Sequence, residues 1–282
     1  MRIALPASLV ERARSFDVGT SRPAEPRNAA TVVLTRSGES GPEVYLLRRQ
    51  SSMAFAAGMC VFPGGGVDER DFEAHVAWSG PSVEQWATQL DTDVATARAL
   101  VCAAVRETFE ESGVLLAGPS ADEVISDTTA ADWEADRIAL EARAFSFSDF
   151  LERRSLVLRS DLLVPWSAWL TPIFEPRRYR TWFFAAALPE GQRTRDVSRE
   201  SSSVDWMSAD EALRQVESRQ LLMLPPTYLT CLQVAQFESP AALVAEARDR
   251  LVQMFMPEVV SDGDEFILSR PDWALELLEG RG

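Results

Sequence analysis

Three glutamates, Glu107, Glu110 and Glu111, lie within about one turn of a predicted helix that reads AAVRETFEESGVLL. Residues three and four positions apart share one face of a helix, so the spacing predicts three carboxylates on one side. Like charges held this close repel each other unless a cation offsets them. Hard divalent cations prefer oxygen ligands, and magnesium keeps water and substrate phosphate in its shell. The spacing therefore fits two interpretations, a solvated acidic face and a divalent-metal site that handles phosphates.

The residues around the glutamates favour the metal site. Apolar residues fall on the opposite face of the helix and would bury it, leaving the glutamates turned outward: Val101, Cys102, Val105 and Phe109. Ala103 and Ala104, one turn earlier, are too small to obstruct a docked group. Gly113 follows, as is typical of the left-handed residue that ends a helix. We therefore expect an open acidic surface that can receive a cation and a phosphate.

Apolar, β-branched runs on both sides of this helix predict the sheet that must position it. Strands are predicted at residues 29–36, 43–49, 59–62, 163–172, 178–188 and 204–208. The turn-rich SGESGP between the first two indicates a hairpin. Beyond residue 219 the pattern becomes helical, and two of its segments start with proline. We therefore expect a core over residues 29–218 and a C-terminal helical extension over residues 219–282.

The composition excludes several classes of function. The 282 residues carry a formal net charge of −15, and all of the positive side-chain charge is arginine. Such a chain is poorly suited to neutralise a nucleic-acid backbone or to coat an anionic membrane, so neither is an expected partner. No stretch approaches the roughly 20 apolar residues of a membrane span. The three cysteines, Cys60, Cys102 and Cys231, are widely spaced among apolar neighbours, which predicts reduced core residues in a cytoplasmic protein.

The glutamate helix and the upstream segment FPGGGVDERD together resemble the Nudix box. That pattern is a glycine, five residues, a glutamate, seven residues and then R-E-U-x-E-E-x-G-U, where U is aliphatic. Its second half is matched in register by Arg106, Glu107, Glu110, Glu111, Gly113 and Val114. In the first half, Gly65 is followed five residues later by Asp71 instead of glutamate, and Thr108 stands at the first aliphatic position. Between Asp71 and Arg106 lie 34 residues where the pattern has seven, so we expect an insertion at residues 72–98.

The resemblance extends over roughly residues 29–240, through AGMCVFPGG, RYRTWFFAAAL and LLMLPPTYL. These segments look like the long-insertion Nudix subfamily that includes peroxisomal coenzyme A diphosphatases. The coenzyme A signature of that subfamily lies upstream of F-P-G-G. Arg49 and Gly58 fit its spacing, whereas Gln50 and Ala54 depart from it. Coenzyme A is therefore only the favoured substrate within a wider class.

The resemblance implies a fold and an activity. The expected fold is α/β, a Nudix-type α/β/α sandwich around a mixed sheet. The expected activity is metal-dependent hydrolysis of a diphosphate linkage in a nucleoside diphosphate derivative, with coenzyme A or acyl-coenzyme A favoured and Mg²⁺ or Mn²⁺ as cofactor. The alternative is a catalytically silent Nudix-fold module that binds a ligand or regulates. RNA processing is disfavoured by the acidic pI of about 4.6. Relatives are often dimers, so a homodimer is a further expectation.

The resemblance also implies roles for individual residues. Glu107, Glu110 and Glu111 would bind the metal ions, with the Gly65 carbonyl as a backbone ligand. Arg106 would orient a glutamate and make no contact with substrate.

The general base stays open between Glu107 and Glu200, with Glu111 also placed in the catalytic set. Arg49, Arg178 and Arg180 are candidate substrate ligands. For the last two, a solvated strand end is the alternative.

The insertion contains Trp78, Trp86 and the helix-like PSVEQWATQL, so we expect it to be at least partly ordered. Because it joins the glycine loop to the glutamate helix, its ends must lie near the cleft. It would then form a wall that selects the substrate or pack against a second subunit, and the wall is the favoured interpretation. The only histidine, His75, is expected at the surface or in packing.

Overall fold

The computed structural model describes residues 7–16, 21–50, 58–72, 75–198, 201–262 and 265–279. Within these residues the chain forms a large mixed sheet with helices packed on both of its faces. The predicted α/β sandwich around a mixed sheet is confirmed.

The strands are β1 (Arg27–Gly38), β2 (Gly41–Arg49), β3 (Cys60–Val61), β4 (Gly64–Gly66), β5 (Trp78–Ser79), β6 (Ala117–Gly118), β7 (Val157–Arg159), β8 (Val164–Leu170), β9 (Tyr179–Ala187), β10 (Ser201–Ser208), β11 (Met254–Phe255), β12 (Val259–Asp262) and β13 (Glu265–Leu268). The helices are α1 (Ala7–Ser15), α2 (Glu69–Phe72), α3 (Val83–Gln89), α4 (Val94–Ser112), α5 (Ala131–Glu141), α6 (Phe147–Arg153), α7 (Ala209–Glu217), α8 (Pro225–Val234), α9 (Pro240–Ala247) and α10 (Asp272–Glu279).

The main sheet has the strand order β10-β2-β1-β9-β8-β11, with β3 paired to β2 and β4 paired to β1. The predicted hairpin is the antiparallel pair β1–β2, whose turn ends at Gly41 with a φ of +119°. Strand β1 runs parallel to β9 on its other side. These two central strands are buried along most of their length, as their apolar sequences require.

The two faces of β1 show how the strand period of two divides the core into two layers. Val32 and Leu34 point to the layer that contains α3, α4 and α6. Val33 points to the opposite layer, which contains α7, α8, α9 and α10. Helix α4 is therefore clamped between the sheet and the elements outside it, with its apolar residues from Leu100 to Val105 fully buried.

The C-terminal region completes the second layer and also extends the sheet. Leu232 of α8 and Leu243 of α9 are fully buried in that layer. Strand β11 pairs with β8 in parallel and so joins the main sheet. The expectation of a purely helical extension is therefore corrected. The hydrophobic layer also runs across residue 218, because Leu213 and Leu232 belong to the same cluster.

The described part of the insertion packs against the core through α3. Helix α3 begins with a capping box between Ser82 and Gln85, and its Trp86 has no exposed surface. The Trp86 ring lies edge-to-face on Phe184 of β9 with 5.6 Å between ring centroids. A large aromatic side chain that finds a sheet face to cover is more stable there than beside a polar cleft. His75 is exposed, as expected.

The three cysteines are all free and buried, as the sequence predicts. In the ranges that the structure describes, no helix has the length and apolar character needed to cross a bilayer.

Candidate active site

Helix α4 carries the predicted metal ligands, and both of its ends are fixed. At the start, the Asp93 side chain accepts a hydrogen bond from the Thr96 amide, which caps the helix. At the end, Gly113 adopts φ +76°, and its amide donates to the Phe109 carbonyl. A Cβ atom at Gly113 would lie 2.7 Å from the Arg195 guanidinium, so glycine is required both for conformation and for space.

The glutamates of α4 are less exposed than the sequence predicts. Glu110 and Glu111 are only 9% and 8% exposed, and Ala103 and Ala104 are fully buried. The acidic face is therefore largely covered, and the open space expected beside it is confined to the cavity described below. Helical periodicity locates a face but does not show which other segments of the chain pack against that face.

The glycine loop, strand β4 (Gly64–Gly66), lies directly against these carboxylates. The Gly64 amide donates a 2.7 Å hydrogen bond to Oε2 of Glu111. A Cβ atom on Gly65 would come within 2.5 Å of the Glu107 carboxyl group. Antiparallel pairing with β1 holds the loop in this place. A side chain at Gly65 would thus displace Glu107, and a Cβ atom at Gly64 would lie 2.4 Å from the Ala30 carbonyl oxygen of β1, so both positions require glycine.

Arg106 binds together the carboxylates around the loop. Its Nη1 lies 2.7 Å from Glu107 and 3.4 Å from Glu110, and its Nη2 lies 3.0 Å from Asp71. Nη2 also donates to the Gly66 carbonyl. Burial alone would lower the pKa of Arg106, but the charges of Glu107 and Asp71 outweigh burial and raise it. Arg106 therefore positions acidic side chains, and Asp71, only 3% exposed, is one of its partners.

The carboxylates form an electrostatically strained group. Burial, together with the negative charge of Glu107, raises the pKa of Glu110 to about 7. A divalent cation beside these oxygens would favour the ionised form and relieve that strain. The donors are hard oxygen atoms, the ligand type that Mg²⁺ and Mn²⁺ prefer.

The ligands are nevertheless not yet gathered around one point. Among the described residues, no group of three His, Cys, Asp or Glu side chains stands ready to hold an ion. Arg106 holds Glu107, and the Gly64 amide holds Glu111. The donor set thus fits a divalent cation by chemistry and burial, and binding an ion would exchange some of these contacts for metal ligation.

A cavity of about 200 Å³ opens beside the glutamates. Its inner lining comes from the glycine loop, Asp71 and the acidic turn of α4. Its outer lining comes from Asp68 and Arg70 at α2, and from Arg143 and Phe145 in the connection between α5 and α6. Sequence reasoning did not predict this second contribution, because no motif marks residues 131–153.

A pair of arginines braces the C-terminal end of α4. Arg137, only 2% exposed, donates through Nη1 to the Glu110 carbonyl at 2.7 Å. Glu134 accepts from Arg137 and from Arg195, the latter at 2.6 Å. Cations at a helix C-terminus stabilise its unpaired carbonyl groups. These partners are 27 and 61 residues apart in the chain, so the sequence offered no local signal for the brace.

The predicted substrate-binding arginines are not brought to this cavity. Arg178 is 8% exposed, and its guanidinium donates to the carbonyls of Thr171 and Ala24. Arg180 donates to the Pro26 carbonyl and pairs with Glu25. Arg49 ends β2 beside Ser201 and is not part of the lining.

Substrate binding by these three arginines therefore stays a prediction, and the strand-end contacts of Arg178 and Arg180 favour the alternative for those two. Glu200 lies outside the described residues, although nearby Ser198 does line the cavity.

Comparison with known proteins identifies the family. The family model for the NUDT19 Nudix domain matches residues 76–233. The chain is 25% identical to the acyl-coenzyme A diphosphatase NUDT19 of Gallus gallus, over 87% of this chain and 78% of that protein. It is 27% identical to the human protein of the same name, over 77% of this chain and 70% of that protein. For the Xenopus laevis protein the identity is 26%, and the alignment spans 62% of that protein.

A solved structure supports the same assignment. The crystal structure of a Nudix hydrolase from Alicyclobacillus acidocaldarius aligns with a TM-score of 0.68 and 27% identity, over 81% of this chain and 98% of that one. Nudix hydrolases generally use divalent metal ions, which agrees with the oxygen-rich lining of the cavity. The chain belongs to the NUDT19 Nudix domain family and is a Nudix hydrolase.

Proposed function

We propose that this enzyme uses Mg²⁺ or Mn²⁺ to hydrolyse the diphosphate linkage of a nucleoside diphosphate derivative, with coenzyme A or an acyl-coenzyme A as its substrate. The observation that carries the proposal is the meeting of Glu107, Glu110 and Glu111 with the glycine loop at one cavity. The named activity of the Gallus gallus and human relatives supports the choice of substrate. Arg49 and Gly58 fit the coenzyme A signature whereas Gln50 and Ala54 depart from it, so the signature supports this substrate only in part.

We assign the following catalytic and metal-binding roles to individual residues. Glu107, Glu110 and Glu111 would hold the metal ions, with the Gly65 carbonyl as a further ligand. Arg106 keeps Glu107 and Glu110 in place, as its contacts at 2.7 and 3.4 Å indicate. A bound divalent ion neutralises charge on the phosphate oxygens and lowers the pKa of a water molecule. The proton acceptor for that water is Glu107 or Glu200, and Glu111 also belongs to the proposed catalytic set.

The principal test is a pair of isosteric substitutions, Glu110→Gln and Glu111→Gln. Each should lower kcat/KM for the best substrate by at least about a hundredfold, the scale of other electrostatic stabilisers. Glu84→Gln, at an exposed glutamate in the first turn of α3, is the matched control and should keep wild-type activity. Retained turnover in both test variants would remove these residues from the mechanism.

The substrate is identified by a panel. Purified protein with Mg²⁺ or Mn²⁺ is assayed against coenzyme A, its acyl esters, ADP-ribose and dinucleotides, and then again with a chelator. Coenzyme A compounds should be turned over fastest, and chelation should abolish the activity. Tight ligand binding without turnover, whatever the metal, would favour the silent binding module instead.

Two further expectations belong to the same proposal. We place the enzyme in the cytoplasm, which the three free and buried cysteines support because reducing compartments keep thiols unpaired. A homodimer stays a prediction, and light scattering of the purified chain is its measurement.

A further inference from the structure

The active-site cavity is polarised in charge. Its inner lining contains Asp71 and the three glutamates of α4 against Arg106 alone, so it is strongly negative. Its outer edge contains two arginines, Arg70 and Arg143, and two carboxylates, Asp68 and Glu141, so it is close to neutral beside the negative inner lining. Arg70 pairs with Asp68 and Arg137 pairs with Glu141, whereas Arg143 has, among the described residues, only the longer contact of 3.7 Å with Asp68.

The edge is built on a short corner between α5 and α6, residues 142–146, which we call the α5–α6 corner. Helix α5 ends at Ala142, whose amide donates to Ile138, and Arg143 then adopts φ +57°. Helix α6 begins with a capping box between Ser146 and Asp149. A left-handed backbone at a non-glycine residue costs on the order of 1 kcal/mol and persists only where its surroundings enforce it. Both caps therefore fix the place of Arg143.

Contacts with α2 join the corner to the glycine-loop side of the cavity. Arg70 binds Asp68 in a bidentate way, with Nε–Oδ1 and Nη2–Oδ2 distances of 3.0 Å. The hydrogen bonds from Arg70 hold the pKa of Asp68 well below its usual range. Arg70 also donates to the Arg143 carbonyl at 3.4 Å. Asp68 is thus a permanent anion that is already satisfied by one guanidinium.

Arg143 is the part of this cluster that remains available to a ligand. Its side chain is 78% exposed, and its Nε lies 3.7 Å from Asp68, beyond hydrogen-bond range. An exposed ion pair at this distance contributes little, so a stronger anion can replace it at small cost. Phe145 and Leu140 line the cavity next to it and would exclude water from one side of a bound group.

We propose that the α5–α6 corner is a binding subsite for a phosphate monoester that the substrate carries outside the scissile diphosphate. The proposal rests on the proposed function, because it assumes that the diphosphate occupies the acidic inner lining with its metal ions. The exposed Arg143 guanidinium, beside a second guanidinium that is already paired with Asp68, suits an anion with several acceptor oxygens. Arg143 makes the contact, and Arg70 holds the corner that presents it.

The test uses pairs of diphosphate compounds that differ by one phosphate monoester: coenzyme A with 3′-dephospho-coenzyme A, and NADPH with NADH. The key variant is Arg143→Gly. It removes the guanidinium and at the same time suits the positive φ, so a lost preference cannot be ascribed to unfolding. Arg214→Gln is the matched control, an exposed arginine in an ion pair with Glu211 on the distant helix α7.

The wild type should prefer the phosphorylated member of at least one pair by about tenfold or more in kcat/KM, the scale of one charge-assisted contact. Arg143→Gly should bring that ratio close to one, mainly through KM, whereas Arg214→Gln should keep it. A wild-type ratio near one in both pairs, or an unchanged ratio in Arg143→Gly, would overturn the subsite.

A binding arm separates this inference from the proposed function. Calorimetric titration with adenosine 3′,5′-bisphosphate and with AMP, both in the presence of Mg²⁺, measures the subsite without turnover. Tighter binding of the bisphosphate to the wild type, lost in Arg143→Gly, would support the subsite even if no compound were hydrolysed. Equal affinities of wild type and variant for the bisphosphate would overturn it even if hydrolysis were vigorous.

Discussion

Two segments flank helix α4 in the chain. The sequence predicts that the first borders the cavity, but in the structure the second does. The insertion before α4, residues 72–98, was expected to wall the cleft, but its described residues from 75 onward do not line the cavity. The segment after α4, which contains α5 and α6, carried no motif, yet it supplies Arg143 and Phe145 to the outer lining. Nearness in the chain to a catalytic helix is therefore a weak guide to nearness at its active site.

The difference follows from what each segment can bury. The insertion offers Trp86 and Leu90, which are 0% and 1% exposed against the face of the sheet. Helix α6 also anchors itself, through Phe150, which stacks on Phe109 of α4 with 5.4 Å between ring centroids. This second anchor lies on the acidic helix, so the polar corner preceding it remains at the cavity. Aromatic anchors thus decide which segment ends up beside the catalytic groups.

The largest effect is expected from replacing residues 81–92 by a Gly/Ser linker of equal length. The change removes α3 and uncovers the face of the sheet at Phe184, so the chain should lose cooperative unfolding. Circular dichroism during heating measures this. An intact, sharp transition together with an altered substrate ranking would restore the insertion as a wall.

A point substitution sharpens the same comparison. Trp86→Ala should lower the free energy of unfolding by about 3–5 kcal/mol, the usual cost of deleting a buried aromatic side chain. Trp86→Phe should lower the free energy of unfolding by clearly less. The indole N–H is buried without a hydrogen-bond partner, and phenylalanine removes the cost of burying that unpaired donor. Denaturant titration gives both values, and kcat/KM should keep its order among substrates. Equal costs for the two variants would mean that the indole N–H does have a partner in solution.

An intermediate effect on stability is expected from the charge of Glu110 on α4, the helix between the two segments. The pKa of Glu110 is about 7 in the folded chain against 4.5 as its ordinary value, so the folded state binds this proton more tightly. Stability is then lost as the pH rises from about 4.5 through 7. In metal-free protein at pH 8, Glu110→Gln should therefore be more stable than wild type by about 1–3 kcal/mol. Below pH 4 the difference should vanish.

The measurement is denaturant unfolding across this pH range, with a chelator present. Added Mg²⁺ should stabilise the wild type and leave the variant nearly unchanged, since a ligand that binds only the native state raises its stability. If Glu110→Gln were less stable than wild type at pH 8, the ionised Glu110 side chain would not destabilise the metal-free fold.

The smallest effect is expected at the corner itself. Phe145 is half-buried, and the Arg153 guanidinium covers its ring at 4.1 Å. Phe145→Ala should cost about 1–2 kcal/mol of stability, from the lost cation–π contact and the partial burial of the ring against the core. The KM of the best substrate should nevertheless rise several-fold. Steady-state kinetics measures the change in KM, and a thermal melt measures the change in stability. A large loss of stability with an unchanged KM would mean that the corner serves packing, as the insertion does.

Much of the fold was predictable because it rests on local patterns. The strands around Val33, Val44 and Phe184 follow from apolar, β-branched runs, and helix α3 follows from the helix-like stretch PSVEQWATQL. Gly113 marks the end of α4 through its left-handed conformation. Each of these features depends on residues a few positions apart, so a sequence can display it.

The remainder depends on contacts between distant residues. The burial of Glu110 beneath the α5–α6 segment, the Arg137 brace and the capture of Arg178 by Thr171 and Ala24 all join separate parts of the chain. No periodicity encodes such pairs, so the sequence could not show which carbonyl groups Arg178 and Arg180 contact. The two-residue strand β11 was missed because two residues are too few to show a strand period.

The sequence by itself determined the acidic helix, its terminating glycine, the glycine loop and the class of chemistry, because fixed spacings of residue types express all four. Only the tertiary structure decided how deeply Glu110 is buried, which segment borders the cavity and which arginine faces it. These outcomes depend on which apolar anchors compete for the faces of one sheet. That competition is settled by the packing of the whole chain, and burial, charge crowding and access to the site follow from it.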